Sequence, residues 1–290
     1  MDLYNTKAEL SARLTAENRK GRRIALVPTM GALHAGHLSL IQIAKQHADL
    51  VVMSLFVNPK QFNSGDDFKN YPRSVEQDAA MAAAAGVDLM FAPSTEQIYP
   101  SGIGSGSEAP QVTAGSASRG LCGAGRPGHF DGVATVVAIL FNIVRPDCAV
   151  FGEKDYQQLK VIEQLNRVLH FDIEIIPAPL VRDQDGIAFS SRNARLAPAE
   201  REALQLLPRA LFKARELFWA GERNSATLIS AMQATLASSP LLRPEYLEVV
   251  DTELLERIEK IQDRAQVMAA LWCGAVRLID NIRLDAGEII

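Results

Sequence analysis

The sequence predicts an α/β protein built on a doubly wound parallel sheet, followed by a smaller α+β domain. Two observations carry this prediction. Short, continuously apolar segments alternate with helix-like segments over the first two-thirds of the chain, as is typical of parallel βαβ units. In addition, hydrophobic residues make up 48% and charged residues 22% of the 290 residues, so the chain can bury a substantial core.

The elements of the first part follow from apolar runs and from residues that start or stop them. The second predicted strand ends at Asn58-Pro59, and one helix begins after the capping residue Ser74 and stops at Gly86. Ligands of such sheets bind beyond the carboxyl ends of the strands, so motifs that directly follow strands are candidate sites. The predicted strands are 24–27, 50–57, 87–91, 148–151 and 173–176, and the predicted helices are 37–48, 74–85, 131–144 and 155–169.

The pattern changes after about residue 185, where long helical segments precede segments typical of antiparallel strands. We therefore expect one domain at 1–185 and a smaller one at 186–290. The Gly- and Ser-rich stretch 101–128 has little periodicity and is predicted to be a long loop, of the kind that often forms a lid or a binding loop. The predicted C-terminal elements are helices 198–220 and 225–237 and strands 246–250, 267–271 and 276–279.

Composition excludes several classes of protein. A net charge of −4 argues against a dedicated nucleic-acid-binding protein, which would show a basic face. The three cysteines are widely spaced, which argues against a disulfide framework or a zinc site. The N-terminus has no signal-peptide pattern, and the longest apolar stretch, 133–144, is too short to span a bilayer. We therefore expect a cytoplasmic enzyme that binds neither nucleic acid nor membranes.

Two glycine motifs fail as phosphate-binding loops. The sequence Gly-Ala-Gly-Arg-Pro-Gly at 123–128 has GxGxxG spacing but follows no strand and contains a proline, so a dinucleotide site is not favoured. Residues 31–38 have the glycine spacing of a P-loop. However, His37 replaces the lysine and Leu38 replaces the metal-binding Ser or Thr, so this interpretation fails as well.

The same residues contain an HxGH motif, His34-Ala35-Gly36-His37, directly after the first strand. The two histidines are three residues apart at the opening of a helix, so they can lie on one side of its first turn. The N–H groups of that turn favour an anion, and imidazoles can donate hydrogen bonds to phosphate oxygens. The motif predicts a nucleotide site. The alternative, that both histidines only cap and pack the helix, would be favoured for an isolated motif.

Residues 28–37, Pro-Thr-Met-Gly-Ala-Leu-His-Ala-Gly-His, resemble the nucleotide signature of pantothenate synthetases, a family of the HxGH nucleotidyltransferase superfamily. Four further segments resemble this family in the same order along the chain. They are 56–62 (Phe-Val-Asn-Pro-Lys-Gln-Phe), 128–133 (Gly-His-Phe-Asp-Gly-Val), 151–159 (Phe-Gly-Glu-Lys-Asp-Tyr-Gln-Gln-Leu) and 190–193 (Ser-Ser-Arg-Asn).

The resemblance implies a Rossmann-like sheet whose site is covered by the C-terminal domain. It also implies a reaction in two steps. Pantoate and ATP give pantoyl adenylate and pyrophosphate, and the amine of β-alanine then displaces AMP to form pantothenate. ATP is the implied co-substrate with Mg²⁺ as its companion, and the implied assembly is a homodimer.

The resemblance also implies roles for individual residues. Lys154 directly follows a predicted strand, as a cation for a transferring phosphate should. The implied catalytic residues are His34, His37, Lys154 and Arg192. The implied pantoate ligands are Gln61 and Gln158, whose amides can both donate and accept hydrogen bonds. The implied ATP contacts are Met30, Gly31, Ala32, Leu33, His34, Ala35, Gly36, His37, Gly152, Glu153, Lys154, Asp155, Val181, Phe189, Ser190, Ser191 and Arg192.

Some interpretations stay open on sequence alone. Asp155 can cap the following helix, meet the ribose hydroxyls, or do both. Asp78 is either a water-mediated magnesium contact or a polar helix residue, so no metal ligand is assigned. Lys60, Phe189 and Ala35 depart from the family pattern, and Lys60 either adds charge near pantoate or points to solvent.

Other functions predict different observations. Another HxGH nucleotidyltransferase would stop after nucleotidyl transfer and form no amide. A tRNA-binding relative would carry a basic face, whereas the C-terminal third contains acidic residues such as Glu253, Glu256 and Glu259. A non-catalytic protein would bind the nucleotide without turnover.

Overall fold

The computed structural model describes residues 1–63, 65–102 and 110–287. Within them, a six-stranded sheet has the strand order β1-β4-β3-β2-β5-β6, with every recorded pair parallel. This confirms the predicted doubly wound sheet. Its strands are β1 (Asp2–Tyr4), β2 (Ile24–Thr29), β3 (Leu50–Leu55), β4 (Leu89–Phe91), β5 (Cys148–Gly152) and β6 (Glu174–Ala178).

The strand order reverses between β2 and β5. From β2 the chain proceeds to β3 and β4 on one side, whereas β5 and β6 lie on the other side. Ligands of doubly wound sheets bind at such a switch point, beyond the carboxyl ends of the strands. The HxGH motif follows β2, and Gly152 closes β5, so both lie at this point of the sheet.

Helices connect these strands. The central strands β2 and β3 are buried on both faces, as their apolar runs predicted. Gly86 ends the helix before β4 in the left-handed conformation (φ +95°), as predicted for a helix stop. The helices of this part are α1 (Lys7–Asn18), α2 (Ala35–His47), α3 (Gly65–Lys69), α4 (Val75–Ala85), α5 (Thr95–Ile98), α6 (Leu121–Gly125), α7 (His129–Val144) and α8 (Tyr156–Val168).

The C-terminal part contains a three-stranded antiparallel sheet with the order β7-β8-β9. Alternate residues of its strands pack with the helices into an apolar core of their own. This confirms the predicted α+β organisation. The elements are α9 (Pro198–Leu204), α10 (Leu206–Trp219), α11 (Ser225–Leu236), β7 (Leu242–Val250), β8 (Arg264–Cys273) and β9 (Val276–Asp285).

Two expectations need correction. The predicted helix 198–220 is two helices, because Pro208 has no N–H for the carbonyl of Leu204, where α9 ends. The stretch 101–128 is not wholly a loop, since it contains a 3₁₀ turn (Ser116–Ser118) and α6, both too short for periodicity to reveal. Residues 103–109 of that stretch lie outside the described residues. The elements β1 and α1 were not predicted.

The chain divides into two compact units. The first unit comprises Met1–Glu153 and Gln158–Pro179, and the second comprises Lys154–Gln157 and Leu180–Ile290. The predicted boundary at residue 185 stays a prediction. Among the described residues, no helix combines the length and the apolar character needed to cross a membrane.

Candidate active site

The main chain of the loop after β2 adopts a left-handed conformation at Gly31 (φ +84°) and Ala32 (φ +52°), which residues other than glycine rarely adopt. The Asp78 carboxylate on α4 fixes this loop. Its Oδ2 accepts the N–H of Ala32 at 2.9 Å, and its Oδ1 accepts the N–H of Leu33 at 2.8 Å. A Cβ on Gly31 would lie 2.7 Å from Asp78 Oδ2, so both conformation and space require glycine there.

Asp78 therefore has a structural role, whereas the water-mediated metal contact that the sequence left open stays untested. The residue is only 2% exposed, and both of its carboxylate oxygens hold the loop. The described residues contain no group of three or more His, Cys, Asp or Glu side chains placed to hold a metal ion. Asp78 is a structural support of the HxGH loop that sequence reasoning did not identify.

His34 and His37 lie side by side at the start of α2. The carbonyl of His34, the residue before the helix, accepts the N–H of His37 at 2.8 Å. The centroids of the two rings are 4.0 Å apart. The helix begins at Ala35, two residues before the predicted start. Its first turn presents main-chain N–H groups, which makes this a favourable place for an anion.

The side chain of Gln61 is oriented by neighbours at both ends. Gln61 lies in a 3₁₀ turn (Pro59–Gln61) after β3 and is 8% exposed. Its Nε2 lies 2.8 Å from Met30 Sδ, and its Oε1 accepts a hydrogen bond from Asn58 Nδ2 at 3.1 Å. The predicted pantoate ligand is thus in direct contact with the first residue of the predicted ATP loop.

Asn58 is a further residue that the sequence did not single out. Its Oδ1 accepts the hydroxyl of Tyr99 at 2.7 Å, and burial raises the pKa of Tyr99, so the phenol stays protonated and donates. Its Nδ2 also donates to the carbonyl of Gly132 at 3.0 Å. A Cβ on Gly132 would lie 2.4 Å from the carbonyl oxygen of Lys60, so glycine allows α7 to approach the turn.

Arg126 and His129 surround the main chain of Gln61. The carbonyl of Gln61 lies 2.7 Å from His129 Nδ1 and accepts from Arg126 at 3.3 Å. A carbonyl can only accept, so His129 Nδ1 carries the proton, and Nε2 can then accept from Arg126, 3.0 Å away. The segment 128–133 was recognised only as part of a family pattern, whereas the structure shows how it supports Gln61.

Two departures from the family pattern now have a structural setting. The Nζ of Lys60 lies 5.1 Å from the centroid of the Tyr99 ring, a cation–π distance, and the residue is partly buried. Lys60 therefore packs on an aromatic ring instead of pointing into solvent. The N–H of Phe189 donates to the carbonyl of Val181 at 3.1 Å, so the contact between these two residues does not depend on the identity of the side chain at 189.

Lys154 lies in a 3₁₀ turn (Glu153–Asp155) between β5 and α8, where the sequence predicted it. Its side chain is 22% exposed, and its Nζ lies 3.7 Å from Asp155 Oδ1. Its carbonyl accepts a hydrogen bond from Asn281 Nδ2 at 3.0 Å. The nearby hydroxyl of Tyr156 donates to the carbonyl of Thr252 at 3.0 Å.

Ser190, Ser191 and Arg192 follow a short hairpin whose arms pair Arg182 with Ala188. Ser190 begins the 3₁₀ turn Ser191–Arg195, and its Oγ accepts the N–H of Arg192 at 3.3 Å. One of the two predicted phosphate hydroxyls therefore also shapes its own loop.

Arg182 anchors this hairpin through a buried ion pair with Asp280. Two guanidinium nitrogens reach the two carboxylate oxygens at 2.6 and 2.9 Å, and Asp280 is 3% exposed. Burial raises the pKa of the Asp280 carboxyl, and the paired guanidinium opposes that rise.

The predicted site residues are distributed over the two units. In the first unit, the structure places Met30 against Gln61 and His34 against His37, while Gln158 lies partly buried on α8. Gly152 and Glu153 also belong to this unit. The predicted ligands in the second unit are Lys154, Asp155, Val181, Phe189, Ser190, Ser191 and Arg192.

Comparison with known proteins gives consistent results over nearly the whole chain. A sequence model described as pantoate-beta-alanine ligase matches residues 2–283. The pantothenate synthetase of Moorella thermoacetica is 47% identical over 288 residues, which is 99% of this chain and 100% of that protein. The pantothenate synthetase of Heliobacterium modesticaldum is 45% identical over 98% of this chain and 100% of its own length.

Solved structures are similar as well. The crystal structure of pantothenate synthetase from Thermus thermophilus has a TM-score of 0.90 and 43% identity, covering 97% of this chain and 99% of that one. A pantoate-beta-alanine ligase from Francisella tularensis, complexed with beta-gamma ATP and beta-alanine, has a TM-score of 0.79 and 33% identity, covering 97% of both chains.

Proposed function

Because this chain belongs to the pantoate–β-alanine ligase family, we propose that its residues make pantothenate from pantoate and β-alanine through a pantoyl adenylate. The protein is a ligase that uses ATP as its co-substrate. The two-step route and the role of each residue are the parts that we propose.

In the first step, a carboxylate oxygen of pantoate attacks the α-phosphorus of ATP. A P–O bond forms, the bond to the β-phosphate oxygen breaks, and pyrophosphate leaves. The protein has little covalent work to do, because both reacting groups come from the substrates. Its contribution is to position them and to stabilise the charge that shifts onto pyrophosphate.

The observation that carries the proposal is the contact between Gln61 Nε2 and Met30 Sδ, at 2.8 Å. A carboxylate can be adenylated only if it lies beside the nucleotide. Gln61 is a neutral ligand suited to pantoate, and Met30 opens the loop that leads to His34 and His37. This contact supports a site for the carboxylic acid against the nucleotide loop within the first unit.

The orientation of the Gln61 amide supports this role. Asn58 donates to Oε1, so the Nε2 group is the end that faces Met30. An amide N–H can donate to a pantoate oxygen without adding a charge that competes with the attacking carboxylate. We assign Gln158 as the second pantoate ligand.

The phosphates need donors and cations. We assign His34 and His37, together with the N–H groups of the first turn of α2, to the phosphates. We assign Lys154 to the transferring phosphate and Ser190, Ser191 and Arg192 to the β- and γ-phosphates, because guanidinium and hydroxyl groups suit phosphate oxygens.

The remaining assigned contacts follow the nucleotide. The loop Gly31–Gly36 lines it, and a main-chain group near Val181 meets adenine. We assign Gly152 and Glu153 to the nucleotide and Asp155 to the ribose hydroxyls. We also assign Phe189, which precedes the two serines, to ATP. Asp155 also lies 3.7 Å from the Lys154 ammonium, so it balances that charge when no phosphate is bound.

In the second step, the amine of β-alanine attacks the acyl carbon of the adenylate. A C–N bond forms, the C–O bond to AMP breaks, and the amine loses a proton. This step transfers one former carboxylate oxygen of pantoate to AMP.

Isotope transfer tests the two-step proposal. Pantoate labelled with ¹⁸O in its carboxylate is incubated with ATP, β-alanine and the protein, and AMP is analysed by mass spectrometry. One ¹⁸O atom in each AMP is expected. Unlabelled AMP would rule out the adenylate, and absence of both AMP and pantothenate would rule out the ligase reaction itself.

Three further properties are part of the proposal. Mg²⁺ is expected to arrive with ATP and to be bound mainly by phosphate oxygens, as is usual for this ion. The chain is expected to form a homodimer and to work in the cytoplasm. Light scattering should then give twice the mass of one chain. Turnover should stop when a chelator removes Mg²⁺ and should return when Mg²⁺ is added back.

A further inference from the structure

The segment Lys154–Gln157 belongs to the second unit although its neighbours in the chain, Glu153 and Gln158, belong to the first. Two hydrogen bonds attach it there. Asn281 Nδ2 donates to the carbonyl of Lys154 at 3.0 Å, and the Tyr156 hydroxyl donates to the carbonyl of Thr252 at 3.0 Å. The position of Lys154 is therefore defined by groups that lie far away in the sequence.

Asn281 lies on the face of the sheet opposite the apolar core of the second unit. Odd-numbered residues of β8 and even-numbered residues of β9, such as Val267 and Ile282, contribute to that core. Side chains alternate along a strand, so Gln266 and Asn281 point to the other face. Both are nevertheless buried, at 2% and 5% exposure.

Every polar atom of Asn281 has a partner. Its Oδ1 accepts from Gln266 Nε2 at 2.6 Å, and its Nδ2 donates to Lys154. Its main-chain N–H donates to Asp280 Oδ1 at 2.7 Å, and its carbonyl accepts from Arg182 at 3.1 Å. The amide of Asn281 therefore has one orientation, in which the N–H end faces Lys154.

Stability alone is a poor explanation for this network. Buried polar groups cost free energy even when they are hydrogen-bonded, and apolar residues of similar volume commonly serve as well or better. The ion pair of Arg182 with Asp280 fixes β9 at the residue before Asn281. The network ends at the main chain of a residue for which we propose a role in the reaction.

We propose that Asn281 is a positioning residue that holds the main chain of Lys154 so that the ammonium group meets the transferring phosphate. Arg182 and Asp280 hold the strand that carries Asn281, and Gln266 orients its amide. This assignment rests on the role proposed above for Lys154. It extends the site to residues near the end of the chain that do not themselves touch the substrate.

A double-mutant cycle with Lys154 tests the proposal. Asn281→Ala and Asn281→Asp both remove the N–H donor, and misplacing a reacting group by about 1 Å can cost about 10²-fold in rate. We expect the single-turnover rate of adenylate formation to fall by about 10- to 100-fold, which corresponds to a displacement of the Lys154 ammonium group of up to about 1 Å. The KM for β-alanine should stay unchanged. The Lys154→Ala/Asn281→Ala protein should be no slower than Lys154→Ala alone, because Asn281 acts through Lys154.

Ile282→Ala is the matched control. It is the next residue of β9, and its apolar side chain belongs to the core and makes none of the hydrogen bonds of the network, so its truncation should lower the melting temperature. Gln266→Met tests the same network by a milder change and should give a smaller loss of rate. It carries the test if the Asn281 variants do not fold.

The outcomes separate the two levels of inference. An inactive wild-type protein would contradict the proposed function. An active wild type with a slow Lys154→Ala variant and Asn281 variants at the wild-type rate would contradict only the positioning role. A loss of rate in Ile282→Ala equal to that in Asn281→Ala, or additive losses in the double variant, would also overturn it.

Discussion

Two main-chain segments of the candidate site each bind a buried polar side chain from another part of the chain, but with opposite chemistry. At the loop after β2, the Asp78 carboxylate accepts the N–H groups of Ala32 and Leu33. At the segment Lys154–Gln157, the Asn281 amide donates to the carbonyl of Lys154. The carboxylate brings a negative charge under a glycine-containing turn, whereas the amide adds no charge beside the lysine.

The difference also concerns distance along the chain. Asp78 is 46 and 45 residues from its two partners and belongs to the same unit. Asn281 is 127 residues from Lys154, on a strand of another sheet. The HxGH loop therefore depends on neighbouring βα units, whereas the position of Lys154 depends on the C-terminal fold. Variants that affect one region and spare the other make this comparison testable.

The largest effect is expected for Lys154→Ala. Removing one preorganised electrostatic group from an active site typically costs about 10²–10³-fold in turnover. We expect adenylate formation, measured in a single turnover, to fall by that factor. Lys213→Ala, a change at a half-exposed lysine of the second unit, is the control and should keep the wild-type rate. An unchanged rate in Lys154→Ala would contradict the proposed role of this lysine in the reaction.

The next effect is expected for Asp78→Asn. The amide can accept only one of the two N–H groups and directs its own N–H toward the other, so a buried donor loses its partner at a cost of about 1–3 kcal/mol. Denaturant unfolding should show this loss, and ATP binding should weaken because the loop is displaced. Glu76→Gln removes the same charge from an exposed position of α4 and should change neither quantity. If both variants behaved alike, the loss of charge would explain the effect, and the two hydrogen bonds between Asp78 and the loop would not.

A smaller effect, confined to one substrate, is expected for Gln61→Ala. Loss of a hydrogen bond to a charged group costs about 1.5–3 kcal/mol, which corresponds to about a 10- to 100-fold rise in the KM for pantoate. Calorimetry should find ATP binding unchanged, since Asp78 still holds the loop. Gln42→Ala, at an exposed position of α2, is the control. Weakened ATP binding with normal use of pantoate would reverse our assignment.

The smallest effect is expected for Asp183→Asn in the hairpin of the second unit. Burial raises the pKa of Asp183, but hydrogen bonds from Arg201 and from the N–H groups of Ile187 and Asp185 lower it, and the lowering prevails. The ionised form therefore stabilises the fold above the ordinary aspartate pKa of about 3.9, and this contribution is lost as the pH falls through the lower pKa of the folded state.

Unfolding measured across pH tests this expectation. The variant should be less stable than the wild type by about 1 kcal/mol at neutral pH, the typical net value of a hydrogen bond, and the difference should shrink below about pH 4. Glu216→Gln, at an exposed position of α10, should show no such convergence. A stability difference that is independent of pH would contradict the assigned pKa direction.

Much of the fold could be predicted from local pattern. The strands at 24–29, 50–55 and 148–152 are almost wholly apolar, and such runs reveal buried strands. Periodicity could not predict β1 or α6, because each has too few residues to show it. It also could not predict the division of the helix at Gln205, because the proline that causes it lies one turn away.

The candidate site shows the same division. The sequence by itself determined the candidate groups: two histidines at a helix start, a lysine after a strand, and two glutamines in recognisable segments. Only the tertiary structure decided what holds these groups, namely Asp78 beneath the loop, Asn58 beside Gln61 and Asn281 behind Lys154. Local pattern reports the period of an element, whereas a buried hydrogen bond needs a partner that the fold brings from elsewhere in the chain.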